Sequence, residues 1–339
     1  MYSGSRTLAN TLETSLLLLA LASYPSHRAL GLAALSVMVR PTAVLAWLPL
    51  APLYCLTTLP SLPLSRLVSL PLLPLAAVIL TVTVDSIYYG GFAFTPWTFF
   101  HTNVMQDVSS FFGSHPYYWY LSHALLPILG PLLLPAVLGL PRLPSLLSLP
   151  ILSTLLVLSL LPHKEMRFLQ PILPLLLYSA ACHLAKKCQG PPSSRVTLAL
   201  LLTNLPLALY LCQVHQQGVV EASLHLGCQA SPALLLMPCH STPLYSHIHR
   251  DIAVRHLSCL PPLPGEGAEE AETFYRDPVA WLEEEYPHSL PHNVVMFDSL
   301  EQEVEGWLRA RGRVPCLSWF HTHFPEGRVG ARVLLYCPG

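Results

Sequence analysis

Five stretches of this chain, residues 68–84, 121–140, 144–162, 168–185 and 196–214, contain no Asp, Glu, Lys or Arg. A bilayer core about 30 Å thick is crossed by roughly 20 mostly apolar residues in a helix, so each stretch is a predicted membrane helix. Residues 41–64 are also uncharged, although several prolines shorten the usable helix. Two weaker segments come first: 10–24, which contains Glu13, and 29–39, which is too short to span unaided. Together these segments give about eight expected crossings.

Only 11% of the 339 residues are charged, where soluble domains carry about a quarter. That deficit excludes an ordinary globular enzyme. The 18 basic and 19 acidic residues nearly cancel, which argues against a nucleic-acid partner. Charge returns after residue 215, so the chain reads as a transmembrane region, 1–215, and a water-facing domain, 216–339. The 34 prolines fit a bundle of kinked or broken helices, where neighbouring helices and waters satisfy the backbone groups that proline frees. Asn10 and Glu13 spoil the basic start and apolar core of a cleavable secretory signal.

Short cytoplasmic loops collect Lys and Arg. If 29–39 crosses, Arg28, Arg66, Arg142, Lys186, Lys187 and Arg195 share one side with no acidic residue beside them. That side is expected to be cytoplasmic. Arg40, Asp85, Asp107, the segment His163–Arg167 and the whole of 216–339 then fall on the opposite side. The alternative joins 29–50 into one helix with Arg40 in mid-membrane, at a cost of at least ~2.5 kcal/mol on insertion scales. Residues 86–120 are rich in aromatics, among them Tyr88, Trp97, Phe100, Tyr117 and Trp119. Aromatics favour the membrane interface, so this segment is expected as a loop on the far side with helices lying on the membrane.

The sharpest chemical signal is His163-Lys164-Glu165-Met166-Arg167-Phe168, set between two apolar helices. Ionisable groups at a membrane border are costly unless paired or functional. Two readings stand side by side: a phosphate site, with the Arg fork and the Lys point charge as ligands, or a solvated turn flanked by snorkelling basic residues.

This motif, followed by Leu169-Gln170-Pro171-Ile172-Leu173-Pro174, resembles the signature of the dolichol-phosphate-mannose-dependent mannosyltransferases (glycosyltransferase family 22). Further matches are Arg6-Thr7-Leu8-Ala9-Asn10-Thr11-Leu12-Glu13-Thr14, Arg40-Pro41-Thr42-Ala43, and Phe112-Gly113-Ser114-His115-Pro116 with Trp119-Tyr120. Two motifs in the C-terminal region resemble the branch that adds the third mannose of glycosylphosphatidylinositol (GPI) anchors. They are Met237-Pro238-Cys239-His240-Ser241-Thr242-Pro243 with Tyr245-Ser246-His247, and Phe320-His321-Thr322-His323-Phe324-Pro325-Glu326-Gly327-Arg328.

The resemblance implies a mainly α membrane protein: a GT-C-like multi-helix bundle with a small C-terminal α/β luminal domain, in the endoplasmic-reticulum membrane. It implies transfer of an α1,2-linked mannose from dolichyl-phosphate-mannose to a GPI precursor, with inversion at the anomeric carbon and a carboxylate taking the acceptor proton. Expected partners are those two lipid-linked substrates and the membrane lipids. No cofactor is expected beyond the donor. The donor phosphate is assigned to His163, Lys164, Arg167 and Arg40, with Glu165 orienting a basic neighbour. His115, Trp119, His240, His247, His321 and His323 are assigned to acceptor or luminal motifs. The family's catalytic carboxylate lies in a first luminal loop expected upstream of Met1, so the chain alone is expected to be inactive. Asp85 and Asp107 are the substitute candidates for the base, with Asp85 expected at a helix end. The competing readings are a truncated membrane scaffold without enzymatic activity, an α-mannosyltransferase of lipid-linked N-glycan assembly, and a transporter.

In 216–339, residues 234–237, 294–297 and 333–336 read as short buried strands. Asp298 or Ser299 is an expected N-cap for a helix whose apolar face is Leu300, Val304, Trp307 and Leu308, with Gly312 just past its end. Residues 265–272 read as a Gly/Glu-rich surface loop. The histidines match no standard zinc spacing. Of nine cysteines, Cys55, Cys182, Cys188 and Cys212 are expected free. Cys228, Cys239, Cys259, Cys316 and Cys337 lie where disulfides can form, and an odd five leaves at least one unpaired.

Overall fold

The structure is a computed structural model that describes residues 8–188, 194–258 and 269–339. Arg6, Thr7, Cys259 and residues 265–268 lie outside the described residues. The chain divides into two compact units, Met1–Leu202 and Thr203–Gly339.

Among the described residues four helices are long and apolar enough to cross a membrane: Leu64–Tyr89, Tyr120–Arg142, Met166–Lys187 and Ser194–Gln229. A fifth span results if Pro41–Trp47 and Leu50–Ser61, bent by 46°, act together. Ala9–Ala22, His27–Val39 and Ser145–Leu160 are shorter apolar helices. This is a mainly α, multi-pass membrane protein with one small sheet. His27–Val39 has 13 residues, about 20 Å of helix at 1.5 Å per residue, which is less than a bilayer core. It stops at Arg40, whose backbone is extended (φ −144°, ψ 111°), so the single helix over 29–50 does not form. Pro41 then opens a short 3-10 turn, Pro41–Ala43. Proline costs little there, because an N–H at a helix start has no partner to lose.

The helix Leu72–Tyr89 runs past Asp85 and ends at Gly90 (φ 69°), a left-handed cap that glycine takes without strain. Asp85 therefore does not end that helix. The aromatic segment beyond it forms short helical pieces, Thr95–Phe100, His101–Met105 and Val108–Phe112. The interior of this unit gathers Leu17, Tyr120, Leu125, Ile151, Leu169 and Leu176 from distant helices. Where Leu133–Gly139 crosses Leu173–Cys188, a Cβ on Gly139 would lie 2.2 Å from the Ser179 carbonyl oxygen. The Ser179 hydroxyl donates to Ala136 O at 2.7 Å. Small residues and interhelical hydrogen bonds of this kind let membrane helices approach closely.

The second unit holds a five-stranded sheet: β1 Ala233–Leu236, β2 Val254–His256, β3 Asn293–Phe297, β4 Arg313–Phe320 and β5 Arg332–Pro338, in the order β2-β1-β3-β5-β4. β1 pairs parallel with β2 and β3, while β5 runs antiparallel to both β3 and β4. Four strands thus share one direction. Successive side chains alternate between faces. Leu234, Leu236, Val294 and Met296 pack under Phe274, Trp281, Val304 and Leu308 on one face. Leu235, Val295 and Phe297 pack under Val219, Ala222 and Leu226 on the other. Strands covered on both faces read as unbroken apolar runs, which is why 234–237, 294–297 and 333–336 were legible.

Several local expectations change. β2 is only three residues long, and β4 carries Pro315 and a register shift between Pro315 and Leu317; neither shows an apolar run. The helix Glu301–Ala310 has no side-chain cap. Ser299 instead donates to Arg328 O at 2.9 Å, and Asp298 Oδ1 has no hydrogen-bond partner. Glu270–Glu272, expected in a loop, begin the helix Glu270–Arg276. Cys316, at the irregularity in β4, is bonded to Cys337 in β5. Cys239 is also disulfide-bonded, whereas Cys55, Cys182, Cys212 and Cys228 are free.

Candidate functional site

The break at Arg40 and the 3-10 segment Met166–Ile172 set polar groups among apolar helices in the first unit. Glu13, from Ala9–Ala22, is buried at 4% exposure. Its Oε2 lies 2.9 Å from Arg40 Nε. Arg40 Nη1 donates to Asn10 Oδ1 at 3.1 Å, and Asn10 Nδ2 donates to the Arg167 carbonyl at 3.0 Å. Glu165 accepts from Arg167 Nη2 at 2.7 Å and pairs with Arg167 Nε as well, a two-pronged contact. Its Oε1 is also 3.1 Å from His163 Nε2. Gln170 Nε2 reaches Thr11 Oγ1 at 3.0 Å. The result is a continuous polar chain, Glu13–Arg40–Asn10–Arg167–Glu165–His163.

The aromatic segment meets this chain from the side. His115 N–H donates to Pro162 O at 3.0 Å, and Lys164 Nζ donates to His115 O at 3.0 Å and also to Leu161 O. His163 Nδ1 lies 3.0 Å from Gly113 O. The His115 ring, exposed, stacks on Trp119 at 4.7 Å between centroids. Lys164 is 3% exposed, so its ammonium ties the loop to the motif. Arg167 is the cation that faces outward, with half of its side chain exposed. Three cations, Arg40, Lys164 and Arg167, face two carboxylates, Glu13 and Glu165, which leaves positive charge in excess.

Asp85 accepts from Thr95 and so ties the helix Leu72–Tyr89 to the start of Thr95–Phe100, and Asp107 (φ 52°) accepts from Ser110 at 2.6 Å, a local turn contact. Sequence reasoning gave no role to Glu13 and Asn10, which are members of the chain, or to Thr11 and Gln170, which pair with each other. An acidic residue in an apolar segment was the available signal, since such a group needs a partner.

In the second unit the assigned histidines do not converge. His321 and Thr322 are buried. His321 packs on Phe297 at 4.9 Å, and its backbone N–H donates to Ala331 O at 2.8 Å. Burial, and then the neighbouring His215, hold its pKa below the ordinary value, against a smaller pull upward from Asp298. His323 is exposed and within 2.8 Å of the Tyr210 hydroxyl. His240 is exposed at φ 59°, and His247 contacts Ser246 at 2.9 Å. Among the described residues no three His, Cys, Asp or Glu side chains are placed to hold a metal ion.

The Alg9-like mannosyltransferase family profile matches residues 1–249. Curated relatives include a GPI alpha-1,2-mannosyltransferase 3 of Danio rerio, 40% identical over 98% of this chain and 66% of the relative. The Homo sapiens protein of the same name is 36% identical over 99% of this chain and 64% of the relative. A GPI mannosyltransferase 3 of Drosophila melanogaster is 37% identical over 91% and 61%. The chain thus spans somewhat under two thirds of the length of these three curated relatives. No solved structure matches it. On the family profile, with a helical bundle and a polar chain built on the His-Lys-Glu-x-Arg-Phe motif, the chain belongs to the Alg9-like mannosyltransferase family.

Proposed function

We propose that this chain carries the membrane part of an enzyme that adds the third mannose, in α1,2 linkage, to a GPI precursor, using dolichyl-phosphate-mannose at the luminal face of the endoplasmic reticulum. The observation that carries this reading is the cation excess around Arg167 on one outward-facing motif. In the transfer, the bond from the anomeric carbon to the phosphate oxygen breaks as the acceptor hydroxyl attacks from the opposite face. The leaving phosphate gains one negative charge. A fixed guanidinium stabilises that charge most when it develops. Arg40, itself held by Glu13, orders the peptide of Arg167 through Asn10. The chain's own cations take the neutralising role, without a further cofactor.

The disulfide-bonded Cys316, Cys337 and Cys239 support a luminal C-terminal unit, because disulfides persist in oxidising compartments. The Lys and Arg distribution supports a luminal His163–Arg167 segment, while only four or five of the eight expected crossings have, among the described residues, a helix long and apolar enough to span.

A second reading, a membrane scaffold without turnover, is favoured by one feature. Glu13 and Glu165 are both engaged with arginines, so neither is poised to take the acceptor's proton. Complementation of cells that lack the third-mannose step, read by surface display of GPI-anchored proteins, separates the two. A chimera in which this chain replaces the matching part of the Homo sapiens relative is expected to rescue, and the same chimera with Arg167→Ala to fail. Rescue by the 339-residue chain alone excludes the scaffold reading, and absence of rescue by the chimera overturns the assignment.

A further inference from the structure

In open α/β sheets, ligands bind outside the carboxyl ends of the strands, where consecutive connections leave toward opposite faces. The second unit has such a point. β1 leads to β2 on one side of it, and the next strand, β3, lies on the other. The segment after β1 packs through Leu244 and Ile252 on one face, and the helix after β3 packs through Val304 and Leu308 on the other. β4 runs parallel to β3, so its carboxyl end opens at the same edge. Both sequence motifs of this unit leave the sheet there: 237–243 after β1 and 320–328 after β4.

A crevice of about 290 Å³ sits at this edge, lined by Asp298, Ser299, Glu326, Val329, Gly330 and adjoining residues of the β4–β5 loop. Its wall is fixed from both sides. Ser299 binds the Arg328 carbonyl, while the Arg328 guanidinium pairs with Glu272 at 3.0 Å and lies 4.3 Å over the Tyr275 ring. Gly330 closes on Asp298 so tightly that a Cβ would meet Oδ1 at 1.8 Å. Behind the wall, His321 is 3% exposed with Nδ1 unpartnered. The stretch of chain just before Pro325 carries a group of aromatic rings. Phe320 lies 4.5 Å from His323 and Tyr210 lies 5.7 Å from it, and the neighbouring Phe324 is 72% exposed.

The chemistry selects the ligand class. Asp298 and Glu326 line the crevice while the nearby Arg328 is committed to Glu272, so phosphate would be repelled. The exposed Glu326 carboxylate and Ser299, with the exposed Phe324 two residues from Glu326, suit a neutral, hydroxyl-rich ring, whose hydroxyls donate to the carboxylate and whose CH face lies on the aromatic ring. The volume, at the small end of the ligand-pocket range of about 300–1,000 Å³, admits a mono- or disaccharide.

We propose that this carboxyl edge is a glycan-binding site that holds the mannose-bearing head of the acceptor. The proposal rests on the mannosyl-transfer reading for its ligand. The test is saturation-transfer NMR on the 339-residue chain in detergent micelles, with methyl α-mannoside, the unit the acceptor presents, as probe. Saturation transfer from the protein to the sugar is expected, falling at least fivefold in a Phe324→Ala/Glu326→Gln double variant whose thermal unfolding is unchanged; both residues are exposed. Equal transfer from wild type and variant, or none from wild type at millimolar sugar, overturns the proposal. Because the readout is binding, a chain that binds sugar while the chimera fails to complement separates this inference from the proposed reaction.

Discussion

Leucine means opposite things in the two units. Leu64–Tyr89 buries none of its most apolar window within the protein, and Leu72, Leu75, Ile79 and Leu80 all face outward. In β1, Leu234, Leu235 and Leu236 are almost wholly enclosed. The first unit leaves its apolar surface to lipid and buries some of its charge, with Glu13 and Lys164 among its least exposed side chains. The second hides its apolar strands and gathers polar groups at one sheet edge. Hydrophobicity therefore reports the solvent a segment expects, while burial of charge reports where a unit concentrates its chemistry.

The contrast is broken most severely by removing a buried partner. Glu13→Ala leaves the Arg40 guanidinium uncompensated, and loss of about 3–5 kcal/mol is expected, read as thermal unfolding of the purified chain in micelles. The exposed i,i+4 pair Glu305–Arg309 in the second unit is the control at the other end of the scale. Reducing or replacing Cys316–Cys337, separated by 21 residues, is expected to cost the second unit about 3 kcal/mol, with the midpoint for the first unit unchanged. Gly139→Ala drives a Cβ onto the Ser179 carbonyl and is expected to cost about 1–3 kcal/mol, all of it in the first unit.

Acid sharpens the comparison at a smaller scale. The folded His321 pKa lies below its ordinary value of about 6.5, so folding favours the neutral ring. Its stabilisation is full above that value and is lost as pH falls through the lower, folded pKa. Unfolding of the second unit should thus become easier on acidification below about pH 6.5, and His321→Asn should flatten that slope in thermal melts across pH. The smallest effect belongs to Glu305→Ala, expected within about 0.5 kcal/mol in the same melts.

Legibility in the sequence followed the same division. Charge-free windows and strands buried on both faces can be read locally, because composition alone forces them. Partnerships across the fold cannot. Asn10 meets Arg167 across 157 positions, and nothing near Asn10 announces it. The His-Lys-Glu-x-Arg motif was visible, but its union with Glu13 and Arg40 required the breaks at Arg40 and Glu165 that aim these side chains inward. Asp298 looked like a helix cap from its neighbours, yet Gly330, far along the chain, sets its surroundings instead. β4 was hidden because Pro315 and its largely exposed residues erase the alternation that marks a strand.

The irregular stretch around Pro315 and the short β2 have a consequence beyond folding. Every open sheet has two outer strands whose free N–H and C=O groups invite another chain to add on, a route to clumping. Here one outer strand is three residues long. The other lacks an amide hydrogen at Pro315, is kinked beside it, and is pinned inward through Cys316. Neither rim offers a long straight template, so many copies crowded on one membrane could keep their sheets from zipping together.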